Sequence, residues 1–523
     1  MFSGIQQQLS SVSASLAPSR DTSTHDLAEN SRPMINNKDM ATLHPDHSTM
    51  NSDHARTHSL MGFQETTSSI AAMTMRNELN KLVEQAAPEK REAFKIEMDN
   101  FYSLFTRYLA EKSKRVKLNW DQVKSPRPEH IIPLKTLPQH TIEDSSSALS
   151  KLAVLKLNGG LGTSMGCVGP KSAIEVRDGM TFLDLTVRQI EYLNSVAKGA
   201  NVPLILMNSF NTDEDTARVI QKYKGHGLQI LTFNQSRFPR IIKESLTPVP
   251  SSPEEKGDSW YPPGHGDLFE ALGNSGLVDQ LLARGKEYLF VSNVDNLGAT
   301  VDPTILQHVI DSGAEFVMEV TDKTRADVKG GTLIDYEGKV RLLEIAQVPS
   351  EYVDDFKSVK KFKIFNTNSL WVSLKAIKRL LDEDAFNMEI IVNPKTTDNG
   401  VKVVQLETAV GAAIKHFQGA HGINVPRNRF LPVKSTSDLF LITSDLYKLN
   451  HGELVFNPKR VFNTVPLVKL GDHFKKVANF LSCFMAIMEV IRPPRQLATL
   501  IRGRRIAKAS APPVMSAGWR DAT

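Results

Sequence analysis

The run Lys156-Leu157-Asn158-Gly159-Gly160-Leu161-Gly162-Thr163-Ser164-Met165-Gly166-Cys167-Val168-Gly169-Pro170-Lys171-Ser172 is a glycine-rich loop that ends in a Pro-Lys pair. Glycine has no Cβ, so consecutive backbone N–H groups in such a loop can close around a phosphate or the edge of a base. Two familiar glycine loops do not fit. A Walker A loop needs Gly directly before Lys, whereas Pro170 precedes Lys171. A dinucleotide fingerprint needs Gly-x-Gly-x-x-Gly, and after Gly160 and Gly162 the next glycine, Gly166, comes one position too late. Proline limits how the lysine can be aimed. The elements that must hold the loop are legible on either side. An apolar strand, Ala153 to Leu157, leads in, and Leu183, Val187, Ile190 and Leu193 recur at helical spacing across Thr181 to Asn194. Strand, loop and helix in that order place ligands at strand ends in α/β proteins.

Leu157 to Ser172 resembles the signature loop of the eukaryotic UDP-glucose pyrophosphorylases (UTP:glucose-1-phosphate uridylyltransferases), and the likeness extends from about Asn77 to about Leu481. Related N-acetylhexosamine and bacterial sugar-nucleotide enzymes have Gly-Thr-Arg in this loop. Here Ser164 follows Gly162-Thr163, which favours the glucose branch. The resemblance implies an α/β, Rossmann-like nucleotidyltransferase fold (GT-A-like), with a mixed, mostly parallel sheet flanked by helices and preceded by N-terminal helices. It implies attack of a sugar 1-phosphate oxygen on the α-phosphorus of UTP, with release of pyrophosphate. Two polyanions need charge neutralisation, in-line alignment and a metal to bridge phosphates. The implied metal is Mg²⁺ and the substrates are UTP and glucose 1-phosphate. Two other readings stay open: a UDP-sugar pyrophosphorylase of other or broader specificity, and a truncated form that binds UTP without turnover.

Residue by residue, the resemblance assigns catalytic charge neutralisation to Lys171 and to Lys434 in Leu431-Pro432-Val433-Lys434-Ser435. Asp295 in Ser292-Asn293-Val294-Asp295-Asn296 would hold the metal, with Lys171 close by among the bridging phosphates. Glycosyltransferases of related architecture favour Asp-x-Asp at this place, and Asn293 speaks against that class. Leu157, Asn158, Gly159, Gly160, Met207, Gln235 and Gly264 would bind the nucleotide, Gln235 reading the uracil edge because an amide both donates and accepts. His265, Asn293, Val294, Asp295, Gly331, Glu344 and Asn366 would contact the sugar phosphate, with Glu344 ionised to accept from hydroxyls. Lys363 could face phosphate or solvent. Taken alone, Lys434 reads as a solvated side chain, Asp295 as a turn former and His265 as structural. Cys167 reads as a packing residue.

With 523 residues the chain can bury a large core in two to four units. Its net charge of +5 does not indicate nucleic acid, because seven basic residues and one acid lie from Arg492 onward and the remainder balances at 56 basic against 57 acidic. Two cysteines without metal-ligand spacing fit a reducing compartment, and no apolar run spans a membrane, so a cytoplasmic enzyme is expected.

Residues 1–67 are polar and expected to be disordered. A helical segment is expected over 68–145, starting near Ser69 and marked by Leu79, Leu82, Val83 and Ala86, then Phe94, Met98, Phe101, Phe105 and Leu109. A catalytic domain is expected over 146–440. Strands are expected at Pro203 to Met207, Gln229 to Phe233, Tyr288 to Ser292 and Glu315 to Val320, with a hairpin turning at Glu337-Gly338. The start of a C-terminal region would occupy 441–491. The family continues into a left-handed β-helix through which it assembles; here Ser482 to Ile491 leads into a basic tail, 492–523, with no visible repeat. The β-helix is therefore expected to be missing, and the family's homo-oligomer with it.

Overall fold

The computed structural model describes residues 50–114, 118–324, 327, 330–461 and 464–483. The chain divides into two compact units, Met1–Leu60 and Met61–Thr523. Of the first, residues 50–60 are described and helical. Helix α1 spans Met50–Gln85 and α2 spans Arg91–Lys114. The disorder expected up to Thr67 is thus corrected from Met50 onward: a polar segment can be helical because a helix satisfies its own backbone, and elongation is cheap once a turn exists. Residues 1–49 and the tail 492–523 lie outside the described residues.

The second unit is built on an eight-stranded sheet of β1 (Ile131–Pro133), β2 (Leu152–Leu157), β3 (Leu204–Asn208), β4 (Ile230–Asn234), β5 (Tyr288–Asn293), β6 (Phe316–Asp322), β7 (Ile364–Ser373) and β8 (His421–Asn424). Their order is β1-β8-β6-β7-β5-β2-β3-β4. Every neighbouring pair is parallel except those of β7, which runs antiparallel to β5 and β6. The strands read as unbroken apolar runs because both faces are covered. Along β2, Ala153 and Leu155 enter the core on one face, while Leu152 and Val154 enter the core on the other. Helix α3 (Phe182–Val196) buries Leu183, Val187, Ile190 and Leu193 against the second face. Its start is fixed by a capping box, with Thr181 and Asp184 exchanging bonds.

The expected hairpin forms from Thr332–Tyr336 and Lys339–Leu343. Glu337 and Gly338 both take positive φ, 55° and 75°, as a two-residue primed turn requires. The apolar faces of α1 and α2, from Ala71 to Leu109, pack on Phe238, Ile241, Trp260, Tyr261, Val404 and Leu406. They cover their own domain, as expected of amphipathic helices. At the C-terminal end, Phe480 is 2 % exposed and packs with Met165, Phe182, Val433 and Leu439 beneath the glycine loop.

Candidate active site

Parallel strands end on one edge, and the register aligns their last residues. Leu157 of β2 lies opposite Met207 of β3 on one side and Asn293 of β5 on the other, and Phe233 of β4 lies opposite Met207. The loops that follow each strand therefore open into one cleft, of about 650 Å³. Leu157, Gly159, Gly160, Lys171, Met207, Gln235, Gly264, His265, Asn293, Val294, Asp295 and Lys434 all line it.

One end of the cleft is built from the glycine loop, Gln235 and Gly264. The side chain of Gln235 lies against Gly159 so closely that a Cβ there would stand 2.0 Å from its Nε2. Gln235 N–H donates to Asn208 O at 3.0 Å, and Ser209 Oγ–H donates to Gly159 O at 2.8 Å, which fixes both backbones. The Gln235 side-chain amide has no hydrogen-bond partner among the described residues, leaving a donor and an acceptor for a ligand. Gly264 closes the wall at φ +85°, where a Cβ would also meet Thr408 O at 2.7 Å; only glycine fits.

The other end is charged. Lys171 Nζ lies 2.5 Å and Lys434 Nζ 3.3 Å from the same oxygen, Oδ2 of Asp295. Lys171 is aimed by closure of the glycine loop: Leu161 and Pro170 form an isolated bridge, and Lys171 N–H donates to Gly160 O. Lys434 is brought across by Asn296, whose Oδ1 accepts from Leu431 N–H at 2.8 Å, and by Val433 N–H donating to Asp295 O. The residue after it, Ser435, caps the next helix in a capping box with Asp438. The Asp295 side chain is 6 % exposed, that of Lys171 15 % and that of Lys434 64 %, so two cations of very different mobility share one acid.

His265 stands between the two ends. Val410 N–H donates to its Nδ1 at 3.0 Å, which leaves the ring proton on Nε2. Burial, reinforced by the Lys434 charge, lowers its pKa from 6.5 to about 4, so at neutral pH it is an uncharged donor.

A family model described as UTP--glucose-1-phosphate uridylyltransferase matches residues 98–495. The chain belongs to that family. It is 58 % identical over 442 residues to a probable UTP--glucose-1-phosphate uridylyltransferase of Schizosaccharomyces pombe, covering 84 % of this chain and 87 % of the relative. To the Saccharomyces cerevisiae enzyme of that name it is 59 % identical over 432 residues, covering 82 % and 86 %. Among solved structures it resembles a mutant UDP-glucose pyrophosphorylase of Leishmania major in complex with UDP-glucose. That match has a TM-score of 0.67 at 33 % identity and covers 76 % of this chain and 87 % of the other.

Within this member of the uridylyltransferase family, four expected site residues do not line the cleft. Asn158 is 1 % exposed, and its amide donates to Asn208 Oδ1 at 2.8 Å and Thr216 Oγ1 at 2.9 Å. Its side chain holds the loop from behind, because it falls on the face of the strand end turned away from the opening. Gly331, Glu344 and Asn366 form a cluster beside the cleft: Asn366 N–H donates to Gly331 O at 2.9 Å, and a Cβ on Gly331 would stand 2.4 Å from Glu344 Oε1. Asn368 joins this cluster to the cleft, its N–H donating to Asn366 Oδ1 and its side-chain amide to Asn293 Oδ1 at 3.0 Å. Burial raises the Glu344 pKa from 4.5 to about 7, so the fully ionised acceptor expected from sequence is corrected to a carboxyl that is part protonated at neutral pH. Lys363 is exposed. Burial pushes the Cys167 thiol up, with Lys171 opposing, and its Sγ packs against Gly162.

The far wall was not foreseen. Arg240, Asp258, Trp260, Gln405 and Glu407 all line the cleft, and the Arg240 guanidinium lies 3.5 Å from the Asp258 carboxylate. Gln405 and Glu407 alternate with buried apolar residues along the strand Lys402–Glu407, and that polar alternation was the available signal. Among the described residues no group of three or more His, Cys, Asp or Glu is arranged to hold a metal ion. A single carboxylate beside two lysines fits Mg²⁺, which takes most of its ligands from phosphate oxygens and water.

Proposed function

We propose that the chain transfers the uridylyl group of UTP to glucose 1-phosphate, reversibly giving UDP-glucose and pyrophosphate. One observation carries this reading: Lys171 and Lys434 converge on Asp295 at one end of a cleft whose other end offers an unpaired amide over bare glycine backbone. Uracil binds at Gln235, between Gly159, Met207 and Gly264, and the triphosphate runs towards the lysines. The sugar phosphate is already ionised, so its oxygen attacks the α-phosphorus without a protein nucleophile or base. Lys171 and Lys434 neutralise the charge that builds up as pyrophosphate leaves. His265 donates Nε2–H to a phosphate or sugar oxygen. Asn293 and the Gly331, Glu344 and Asn366 cluster orient the glucose hydroxyls. Asp295 would hold Mg²⁺, which would supply further charge neutralisation.

We also infer that catalysis is housed in 146–440 and that a C-terminal region runs from 441, while the segment expected to be helical over 68–145 joins α1, which begins at Met50, to strand β1 of the central sheet. The sequence after Ser482 carries no visible repeat, and on that ground we infer that assembly differs from the family's. Size-exclusion chromatography with light scattering tests this, and a discrete stable oligomer would refute it. A cytoplasmic location is supported by two free cysteines and by the lack, among the described residues, of a helix able to cross a membrane.

The deciding experiment measures pyrophosphate release from UTP with glucose, galactose and N-acetylglucosamine 1-phosphates. Highest turnover with glucose 1-phosphate is expected. Comparable turnover with all three would favour a broad UDP-sugar pyrophosphorylase, and calorimetric UTP binding without pyrophosphate would favour a binding-only form.

A further inference from the structure

Asp267 ends the run Gly264-His265-Gly266-Asp267 and has no part in the chemistry above. It is 7 % exposed, and a carboxylate that deep is costly unless hydrogen bonds hold it. Both of its oxygens are used on one residue. Ser236 N–H donates to Oδ2 at 2.6 Å, and Ser236 Oγ–H donates to Oδ1 at 3.0 Å. Ser236 directly follows Gln235, and Asp267 closes the loop that carries Gly264 and His265. At the cleft, the two segments that flank its Gln235 end are thus joined through one carboxylate.

Each segment is anchored separately on its outer side. Gln235 N–H donates to Asn208 O. Gly266 N–H donates to Thr408 O at 2.9 Å, and Thr408 N–H to Pro263 O at 3.1 Å. Behind Ser236, the Arg237 guanidinium lies 4.4 Å over the Trp260 ring and 5.5 Å over that of Phe94, and Phe238 packs edge-on to Phe101 of α2. Further from the cleft the two segments pair as a short antiparallel ladder, Phe238 opposite Tyr261 and Pro239 opposite Trp260. At the cleft itself, between Gln235-Ser236 and Gly264 to Asp267, the two bonds to Asp267 are the hydrogen bonds found among the described residues. A bidentate acceptor fixes separation and rotation together, which a single bond cannot do.

We propose that Asp267 is a positioning residue for base recognition, setting the distance between Gln235 and Gly264 and so the width of the slot that a pyrimidine enters. This rests on the reading that uracil binds at Gln235. Burial pushes the Asp267 carboxyl up to about 7, with the two Ser236 bonds opposing and the charges of Glu97 and Glu270 adding to the rise. The carboxyl is therefore part protonated at neutral pH, and the Ser236 bonds oppose a larger rise.

The test compares Asp267→Ala, Asp267→Asn, Ser236→Ala and Gln235→Ala in the full chain. For each, KM and kcat are measured for UTP and for glucose 1-phosphate, with the preference for UTP over CTP and near-ultraviolet circular dichroism as further readouts. Losing both hydrogen bonds to Ser236 should raise the UTP KM of Asp267→Ala about tenfold. Its glucose 1-phosphate KM should stay unchanged, its kcat should stay within about threefold, and its preference for UTP should fall. Asp267→Asn keeps one acceptor and should recover part of the loss, and Ser236→Ala keeps the backbone bond and should show a smaller rise. An unchanged UTP KM and base preference, with kcat falling only as the folded fraction falls, would overturn the proposal. If Asp267→Ala does not fold, the other two clamp variants decide by the same readouts. Loss of base preference in Gln235→Ala with none in the clamp variants would refute the clamp alone. No loss in Gln235→Ala would refute the base-binding reading, and the clamp with it.

Discussion

Lys171 and Lys434 come from opposite ends of the catalytic region, yet their ammonium groups meet one oxygen of Asp295, at 2.5 Å and 3.3 Å. The shared acid draws both ammonium groups to one point of the cleft.

Lys434→Ala should lower kcat by about 10² to 10³ while changing stability by less than about 0.5 kcal/mol. Its side chain is 64 % exposed, so the fold loses little, whereas developing charge at the reacting phosphates loses a partner. Turnover at saturating substrates and a thermal melt check this, and unchanged turnover would remove Lys434 from the mechanism.

Lys171→Ala and Asp295→Ala should not be additive in kcat/KM, with a coupling of about 1 kcal/mol or more, because the two residues are in direct contact. Chelation should abolish turnover of the wild-type chain and added Mg²⁺ should restore it. Additive effects would mean that the contact has no bearing on catalysis.

Gly159→Ala should raise the UTP KM about tenfold with kcat nearly unchanged, since a Cβ at 2.0 Å from Gln235 Nε2 must push that amide out of place. An unaltered KM would show that the amide does not contact the base.

His265 gives stability a dependence on acid. The imidazole titrates at 6.5 when unfolded and at about 4 in the fold, so the unfolded chain binds more protons between those values. Stability from this group is complete above pH 6.5 and is lost as pH falls towards 4. His265→Gln should flatten that part of a plot of Tm against pH.

Glu344 works in the opposite sense. Its carboxyl titrates at 4.5 when unfolded and at about 7 in the fold, so the folded state binds more protons in between and stability declines as pH rises through that window. Glu344→Gln should remove the decline, and an identical Tm profile would contradict the burial that causes it.

Much of this was legible in sequence because it is local. The glycine loop, the strand before it and the capped helix after it are set by residues within a few positions of one another, and the apolar runs gave β2 to β6 to within a residue or two at most ends. The Glu337-Gly338 turn was legible for the same reason. The C-terminal ends of parallel strands must share an edge, so Leu157, Met207, Gln235 and Asp295 could be expected in one cleft. What sequence could not set was the direction of side chains and the partners that arrive from far along the chain. Asn158 sits inside the signature loop but spends its amide on Asn208 and Thr216. Arg240, Gln405 and Glu407 reach the cleft only because a separate three-stranded sheet folds over it. Asp267 and Ser236 lie on different loops and show no shared pattern. The sequence by itself determined the chemistry available and the elements that carry it. The tertiary structure alone decided which charges share an oxygen and which carboxyls titrate near neutrality, because those depend on distance and burial.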